Sequence, residues 1–379
     1  MSGVPQAKWR GGAALLIAAA LAAGCSSTNK PKPTPLEPLT PQIAGKQVWS
    51  GQRVDGGVSF PLAVTAKQGR FFVAGDDGVV LALDAATGRE AWRGSVGTKL
   101  SAGVGSDGRF ASVVTRGNEL VTLEAGAVLW RAKLDSSVVT APLVAGERVF
   151  VVGVDRVVHA FDALDGRRLW TLRRPGDALT LSQTGVLAAY KDTLLVGQGP
   201  RLLGVDPLRG TVRWEAAVTA PRGTNEVERL ADLVGPMSRQ GAQFCVRAFQ
   251  NAVGCVDAER GATQWSNNTG GLEAVGGDAD FVYSADASDR ITARRRTNGE
   301  TAWTNERLLN RILSAPAAIG KTVVFGDLEG ELHFLSRDSG LPLLRLPTDG
   351  SAIVAAPVLV DNTLLVVTRK GGLYAFRPE

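Results

Sequence analysis

Two histidines, three cysteines and a recurring aspartate are the residues of this 379-residue chain with chemistry to offer. His159 and His333 each sit three residues before an equivalent turn position, Asp162 and Ser336, so they occupy matching points of a repeated unit, four units apart. In a ring of eight such units they fall on opposite sides and cannot converge on one metal or substrate, which leaves structural burial as the expected role. Asp84, Asp162, Asp206 and Asp257 stand immediately before tight turns, where a carboxylate caps backbone N–H groups; that reading outweighs a ring of carboxylates. Cys245 and Cys255 flank a hairpin, Phe244 to Phe249 and Val253 to Val256, and a symmetric turn about Gln250 sets them across from each other. In an oxidising compartment a disulfide is the expectation, with two packed thiols as the alternative. No glycine-rich phosphate loop, nucleophile elbow or metal-ligand spacing is present, and no catalytic or metal residue is assigned.

The elements that carry these residues repeat. Leu83-Asp84-Ala85-Ala86-Thr87-Gly88 followed by Trp92 recurs as Phe161-Asp162 to Gly166 and Trp170, as Asp206 to Gly210 and Trp214, and as Asp257 to Gly261 and Trp265. Gly126/Trp130 and Gly299/Trp303 are worn copies, Gly340 is followed by Leu344 where tryptophan is expected, and Trp49 stands alone at the front. Successive spacings of 43, 38, 40, 44, 51, 38 and 41 residues have the period and turn chemistry of a β-propeller. Upstream of each aspartate, stretches such as Ala141 to Val152 read as strand, tight turn, strand. Each repeat thus predicts four antiparallel strands, the glycine in the turn before the last strand and the tryptophan near that strand's start. The glycine supplies positive φ, and the tryptophan an apolar plate whose N–H can bond a carbonyl. The chain opens on a last strand, Gln47-Val48-Trp49, and closes on a third strand, Gly372 to Phe376. An all-β, eight-bladed propeller of four-stranded antiparallel blades is therefore expected over 46–379, its ring closed by pairing the N- and C-terminal strands, which removes open edges.

Residues 1–24 have a charged start (Lys8, Arg10), a short apolar run and small residues before Cys25, the pattern of a signal peptide too short to span a membrane. The Ala-Ala-Gly-Cys ending is similar to a bacterial lipobox, which implies acylation of Cys25 by fatty chains such as palmitate; Ser26, in place of the aspartate that retains lipoproteins at the inner membrane, implies the outer membrane. Residues 25–45 contain five prolines between Asn29 and Pro41 and read as an extended tether. The net charge of +5 includes Lys8 and Arg10 of the leader, and the remainder is too small to argue for nucleic acid. Arg294-Arg295-Arg296, the densest basic run, falls where other repeats place the aspartate turn and is expected to be a solvated surface turn.

The repeat resembles that of the PQQ-enzyme-type propeller family. The quinoprotein dehydrogenases of that family are longer, with adjacent cysteines over the cofactor and a calcium site; this chain has no adjacent cysteines, so no cofactor and no enzyme activity are expected. From lipobox to last strand the chain looks like the BamB family of outer-membrane β-barrel assembly lipoproteins. Two stretches carry this beyond the generic repeat: Gly176 to Ser182, and the insertion Pro221 to Leu233 behind the 51-residue spacing. In that family two neighbouring loops dock the assembly factor BamA, with Leu-x-Leu-Arg in the first and Asp-x-Asp ending the second. Leu179, Leu181, Glu228, Arg229 and Asp232 match; Ser182 and Val234 depart from the pattern. The resemblance implies a non-enzymatic scaffold that binds BamA, and through it the rest of the assembly complex, with unfolded outer-membrane proteins as a further candidate partner. By residue type, Leu179 and Leu181 would offer apolar contact and the three charged residues a polar rim; alternatively the leucines pack into their own blade and the charges pair among themselves. A PQQ dehydrogenase and a periplasmic propeller holding a ligand in its channel are the competing functions.

Overall fold

A computed structural model describes residues 1–3, 31–54, 56–174, 179–221 and 223–378. Cys25 with most of the leader, and Gly176, Asp177 and Ala178 of the first loop, lie outside the described residues. Met1–Pro33 and Thr34–Glu379 form separate compact units.

Within the second unit the middle strands of each blade are buried on both faces, as their unbroken apolar runs require. In blade 1, Arg70–Ala74 and Val79–Asp84 are almost wholly buried, whereas the outermost strand, Glu90–Ser95, buries mainly Gly94. Eight four-stranded antiparallel sheets follow one another around an eight-bladed β-propeller. The last is assembled from both ends of the chain: Gly45–Arg53 pairs with Gly372–Pro378, from Gly45 opposite Pro378 to Arg53 opposite Gly372. Antiparallel alternation gives the ring two faces. Turns between third and fourth strands lie on one, here the turn face. Inter-blade loops, with the turns between second and third strands, lie on the other, the loop face.

The glycine–tryptophan signature is a joint between blades. A Cβ added at Gly88, Gly166, Gly210, Gly261, Gly299 or Gly340 would stand 2.4–2.6 Å from the tryptophan of the preceding blade, closer than atoms approach. The indole therefore lies flat on the neighbour's turn. Trp49, Trp130, Trp170, Trp265 and Trp303 each donate their N–H to a carbonyl of that turn, at 3.0, 2.8, 2.9, 2.8 and 2.8 Å. Trp49 docks on blade 1 in this way and closes the ring. The exception at Leu344 now has a reason. Its neighbour is blade 8, whose third and fourth strands, Gly372–Pro378 and Gly45–Arg53, are not consecutive in sequence, so no turn joins them for it to dock on. Gly45 occupies the place instead, and a Cβ there would meet Leu344 at 2.6 Å. Gly210→Ala combines a φ of +70° with a clash on Trp170 and is expected to lower stability by about 2–4 kcal/mol, read as a shift of the denaturant midpoint at unchanged slope.

Two expectations need amendment. Arg295 is exposed, but Arg296 is 3% exposed and donates to Asp278 O at 2.6 Å and to Ser238 Oγ. Gly277 and Ser238 leave the slot that admits it; a Cβ on Gly277 would stand 2.6 Å from its guanidinium. Arg294 is also bonded, to Thr269 Oγ1 at 2.7 Å, so Arg294 and Arg296 belong to a packed joint and Arg295 to the solvated surface. The proline-rich stretch, read as an extended tether over 25–45, is seated on the ring from Thr34 onward, where Leu36 and Ile43 find apolar contacts. Cys245 and Cys255 face each other in register with Cα atoms 4.0 Å apart, their sulfurs bonded and fully buried.

Candidate functional site

The repeat aspartates turn inward on their own backbone. Asp84 accepts the Thr87 N–H, Asp162 that of Leu164, Asp206 those of Leu208 and Arg209, and Asp257 those of Glu259 and Arg260. The Thr87 hydroxyl and N–H hold Asp84 below the usual carboxylate range. His159 and His333 lie on the third strands of blades 3 and 7, across the ring from each other. Their partners are Thr171 Oγ1 at 3.0 Å and Asp327 at 2.9 Å. Among the described residues no group of three or more His, Cys, Asp or Glu could hold a metal. The central channel, about 650 Å³, is walled by innermost strands and is mostly apolar, with Leu62, Val64, Pro142, Met237 and Val358 among its lining.

Chemistry of a different kind gathers on the loop face between blades 3 and 5. Residues 179–186 lead into the innermost strand Leu187–Tyr190, and residues 218–232 into Leu233–Gln240. Asp232, at the end of the second loop, accepts the Leu181 N–H of the first at 2.9 Å through Oδ2. Its Oδ1 accepts Arg156 Nη2 at 3.0 Å, and that same Nη2 donates to Leu179 O at 2.9 Å. Thr180 Oγ1 donates to Val154 O at 2.9 Å. Three segments distant in sequence are thus tied around one half-buried ion pair, whose side chains are only 17% and 16% exposed. Behind them a cavity of about 60 Å³ is lined by Arg156, Leu181, Gln183 and Asp232; Arg156 Nε and Gln183 Oε1 are buried there and find no hydrogen-bond partner among the described residues.

Of the five residues singled out from the sequence, Leu179 is 38% exposed and Leu181 half-buried behind it. Asp232 is a tie rather than part of a rim. Glu228 is committed to its own loop: it accepts the Thr224 N–H at 2.8 Å and the Asn225 side chain at 3.0 Å. The Thr224 N–H, ahead of the Thr224 hydroxyl, holds its carboxylate below the usual glutamate range. Arg229 donates to Gly223 O at 3.4 Å. The structure adds two residues. Val227, in the second loop, is 70% exposed, more so than Leu179 in the first. Arg156 was missed, although a signal existed. It occupies the turn position filled by Gly78, Gly330 and Gly371 in blades 1, 7 and 8 and shares their positive φ, at 63°. A non-glycine kept in that conformation is strained, and its side chain was the place to look.

The sequence model described as outer membrane protein assembly factor BamB matches residues 41–97 and 76–305. Outer membrane protein assembly factor BamB of Burkholderia pseudomallei is 37% identical over 372 residues, 97% of this chain and 96% of the relative; that of Bordetella pertussis is 34% identical over 98% of each. The crystal structure of BamB from Moraxella catarrhalis superposes with a TM-score of 0.79 at 23% identity, over 88% of this chain and all of that one. A quinohemoprotein alcohol dehydrogenase from Comamonas testosteroni shares the fold at 15% identity and TM-score 0.67, over 88% of this chain and 76% of that one. With relatives at this identity spanning nearly its whole length, the chain belongs to the BamB family of outer membrane protein assembly factors.

Proposed function

We propose that the chain is a non-enzymatic scaffold of the outer-membrane β-barrel assembly machinery, anchored to the periplasmic face of the outer membrane by a lipid on Cys25. It binds BamA through the loop face between blades 3 and 5 and assists folding and insertion of β-barrel proteins. The observation that carries this reading is the Arg156–Asp232 tie, which joins two loops into one rim presenting Leu179 and Val227. Fixed apolar side chains on a rigid frame lose little entropy on docking, and loops on a stiff scaffold suit recognition.

The test is capture of BamA from detergent-solubilised envelopes. Leu179→Ala/Leu181→Ala is expected to lose capture while its melting profile stays close to wild type. Capture retained by that variant would move the interface elsewhere; no capture by wild type would sink the reading. Titrating PQQ with calcium and following the quinone absorbance separates the dehydrogenase reading, which requires a saturable spectral change.

A further inference from the structure

The strand that completes blade 8 starts on the turn face. Gly45 pairs with Pro378, and the adjoining Arg377 reaches Ala86 O in the blade 1 turn at 3.3 Å. A chain that simply left the ring there would depart from the face opposite the docking loops. It does not. Thr34 N donates to Leu309 O at 2.9 Å, and Arg311 Nη1 donates to Thr34 O at 2.9 Å; Leu309 and Arg311 belong to the blade 6–7 loop, on the loop face. Between these ends the segment runs down the outside of blade 7. Arg345 Nη1 donates to Glu37 O at 3.2 Å, Gln42 N donates to Leu343 O at 2.8 Å, and Arg307 pairs with Glu37. Leu36 packs on the core between blades 6 and 7, and Ile43 on that between blades 7 and 8.

The upper end of this segment sits in a built socket. Arg311 is 2% exposed and is held by Asp327 at 2.7 Å and by Glu329; Asp327 also takes His333 Nε2 at 2.9 Å. A guanidinium fixed this firmly by two carboxylates aims its Nη1 at Thr34 O. The exposed Glu37–Arg307 pair adds little by itself; the apolar contacts and the buried donor do most of the holding.

We propose that Thr34–Ile43 is a strap that moves the chain's departure point from the turn face to the loop face, so that the docking loops are held toward the membrane. This rests on the reading of Cys25 as the lipidated residue. From Cys25 to Thr34 is nine residues, a reach of at most about 30 Å. From Cys25 to Gly45 it is twenty, about 70 Å, and from the opposite face. The strap thus converts a long, indifferent leash into a short one that selects an orientation.

The experiment uses full-length lipidated protein on vesicles carrying a nitroxide-headgroup lipid. A fluorophore is placed on the loop face at Leu272→Cys or on the turn face at Leu208→Cys; both positions are exposed, 41% and 63%. The loop-face dye is expected to be quenched more strongly, and the difference to vanish in Leu36→Asp/Arg345→Ala, whose melting profile should match wild type. Equal quenching in wild type, or a difference that survives the strap variant, overturns the proposal. Protein that fails to float with vesicles sinks the lipid reading and with it the orientation. The strap is then read by itself from hydrogen exchange in detergent, where slow Thr34 and Gln42 amides support it and fast ones overturn it.

Discussion

Arg156→Gly is expected to weaken capture of BamA by about tenfold or more while leaving the ring as stable as wild type, or more so. The gain comes from the backbone, since glycine relieves a φ of 63° and strain of about 1–3 kcal/mol. The loss comes from the tie. Without the guanidinium, Leu179 O and Asp232 Oδ1 lose their shared donor, and charge-assisted bonds of this kind contribute about 1.5–3 kcal/mol. That energy now holds one loop against the next; once it is gone, the partner must order them, and affinity falls by the cost of doing so. Asp232→Ala removes the acceptor for both Arg156 and the Leu181 N–H and should act in the same direction, but with some loss of stability because the arginine stays behind, half-buried and unpaired. Titration by surface resonance, alongside a melt, separates the two. If Arg156→Gly binds as wild type, the tie is local architecture and the leucines dock without it.

The second large effect concerns stability. Arg247 has no exposed surface, and the hydrogen bonds it makes among the described residues all go to backbone carbonyls. Four of its five N–H donors go to four carbonyls: Glu273 at 2.7 Å, Thr269 and Gly270 at 3.0 Å each, and Ala285 at 2.7 Å. It pins the blade 5–6 loop, and Gly271 is glycine because a Cβ would stand 2.5 Å from that guanidinium. Desolvation pulls its pKa down to about 10, so it is charged at neutral pH in both the folded and the unfolded chain. The unfolded chain holds the proton more tightly, so stability from this group rises only as pH climbs through about 10 and is flat around neutrality. Arg247→Met keeps much of the volume but strands four carbonyls. With each unmet acceptor costing about 1–3 kcal/mol, and water restoring part of that, a net loss of about 3–5 kcal/mol is expected. Guanidinium unfolding reads it as a midpoint shift. A change below about 1 kcal/mol would mean that water replaces the side chain without penalty.

What could be read from the sequence is what repeats. The aspartate caps, the glycine turns, the tryptophan plates and the split blade were legible because each is local chemistry restated about every forty residues. The joint itself was half legible: positive φ explained the glycines, but the indole lying on each one needed the neighbouring blade. Leu344 showed as an irregularity whose cause, a turn that cannot exist where the chain ends meet, appears only once the ring is closed. Contacts without a period stayed hidden. Arg156 meets Asp232 across 76 residues, Arg311 meets Thr34 across 277, and Arg296 is buried by the accident of small neighbours at Gly277 and Ser238. Composition marks such residues as charged and therefore exposed, and that inference fails wherever a slot of backbone carbonyls waits for a guanidinium.

The leucine joint has a mechanical consequence. Among the described residues seven inter-blade joints carry an indole and the eighth, between blades 7 and 8, carries Leu344 against Gly45. The eighth also borders the one blade made from two separate ends of chain. Under tension a ring yields at its softest hinge, and here that hinge lies directly beside the point where an anchored N-terminus would pull. Thr34–Ile43 crosses the outside of blade 7 before the chain reaches that hinge. A tug from the membrane is first borne by the Arg311 socket and the flank of blade 7, in shear, and only afterwards by Gly45–Arg53, the strand whose peeling would unzip the circle.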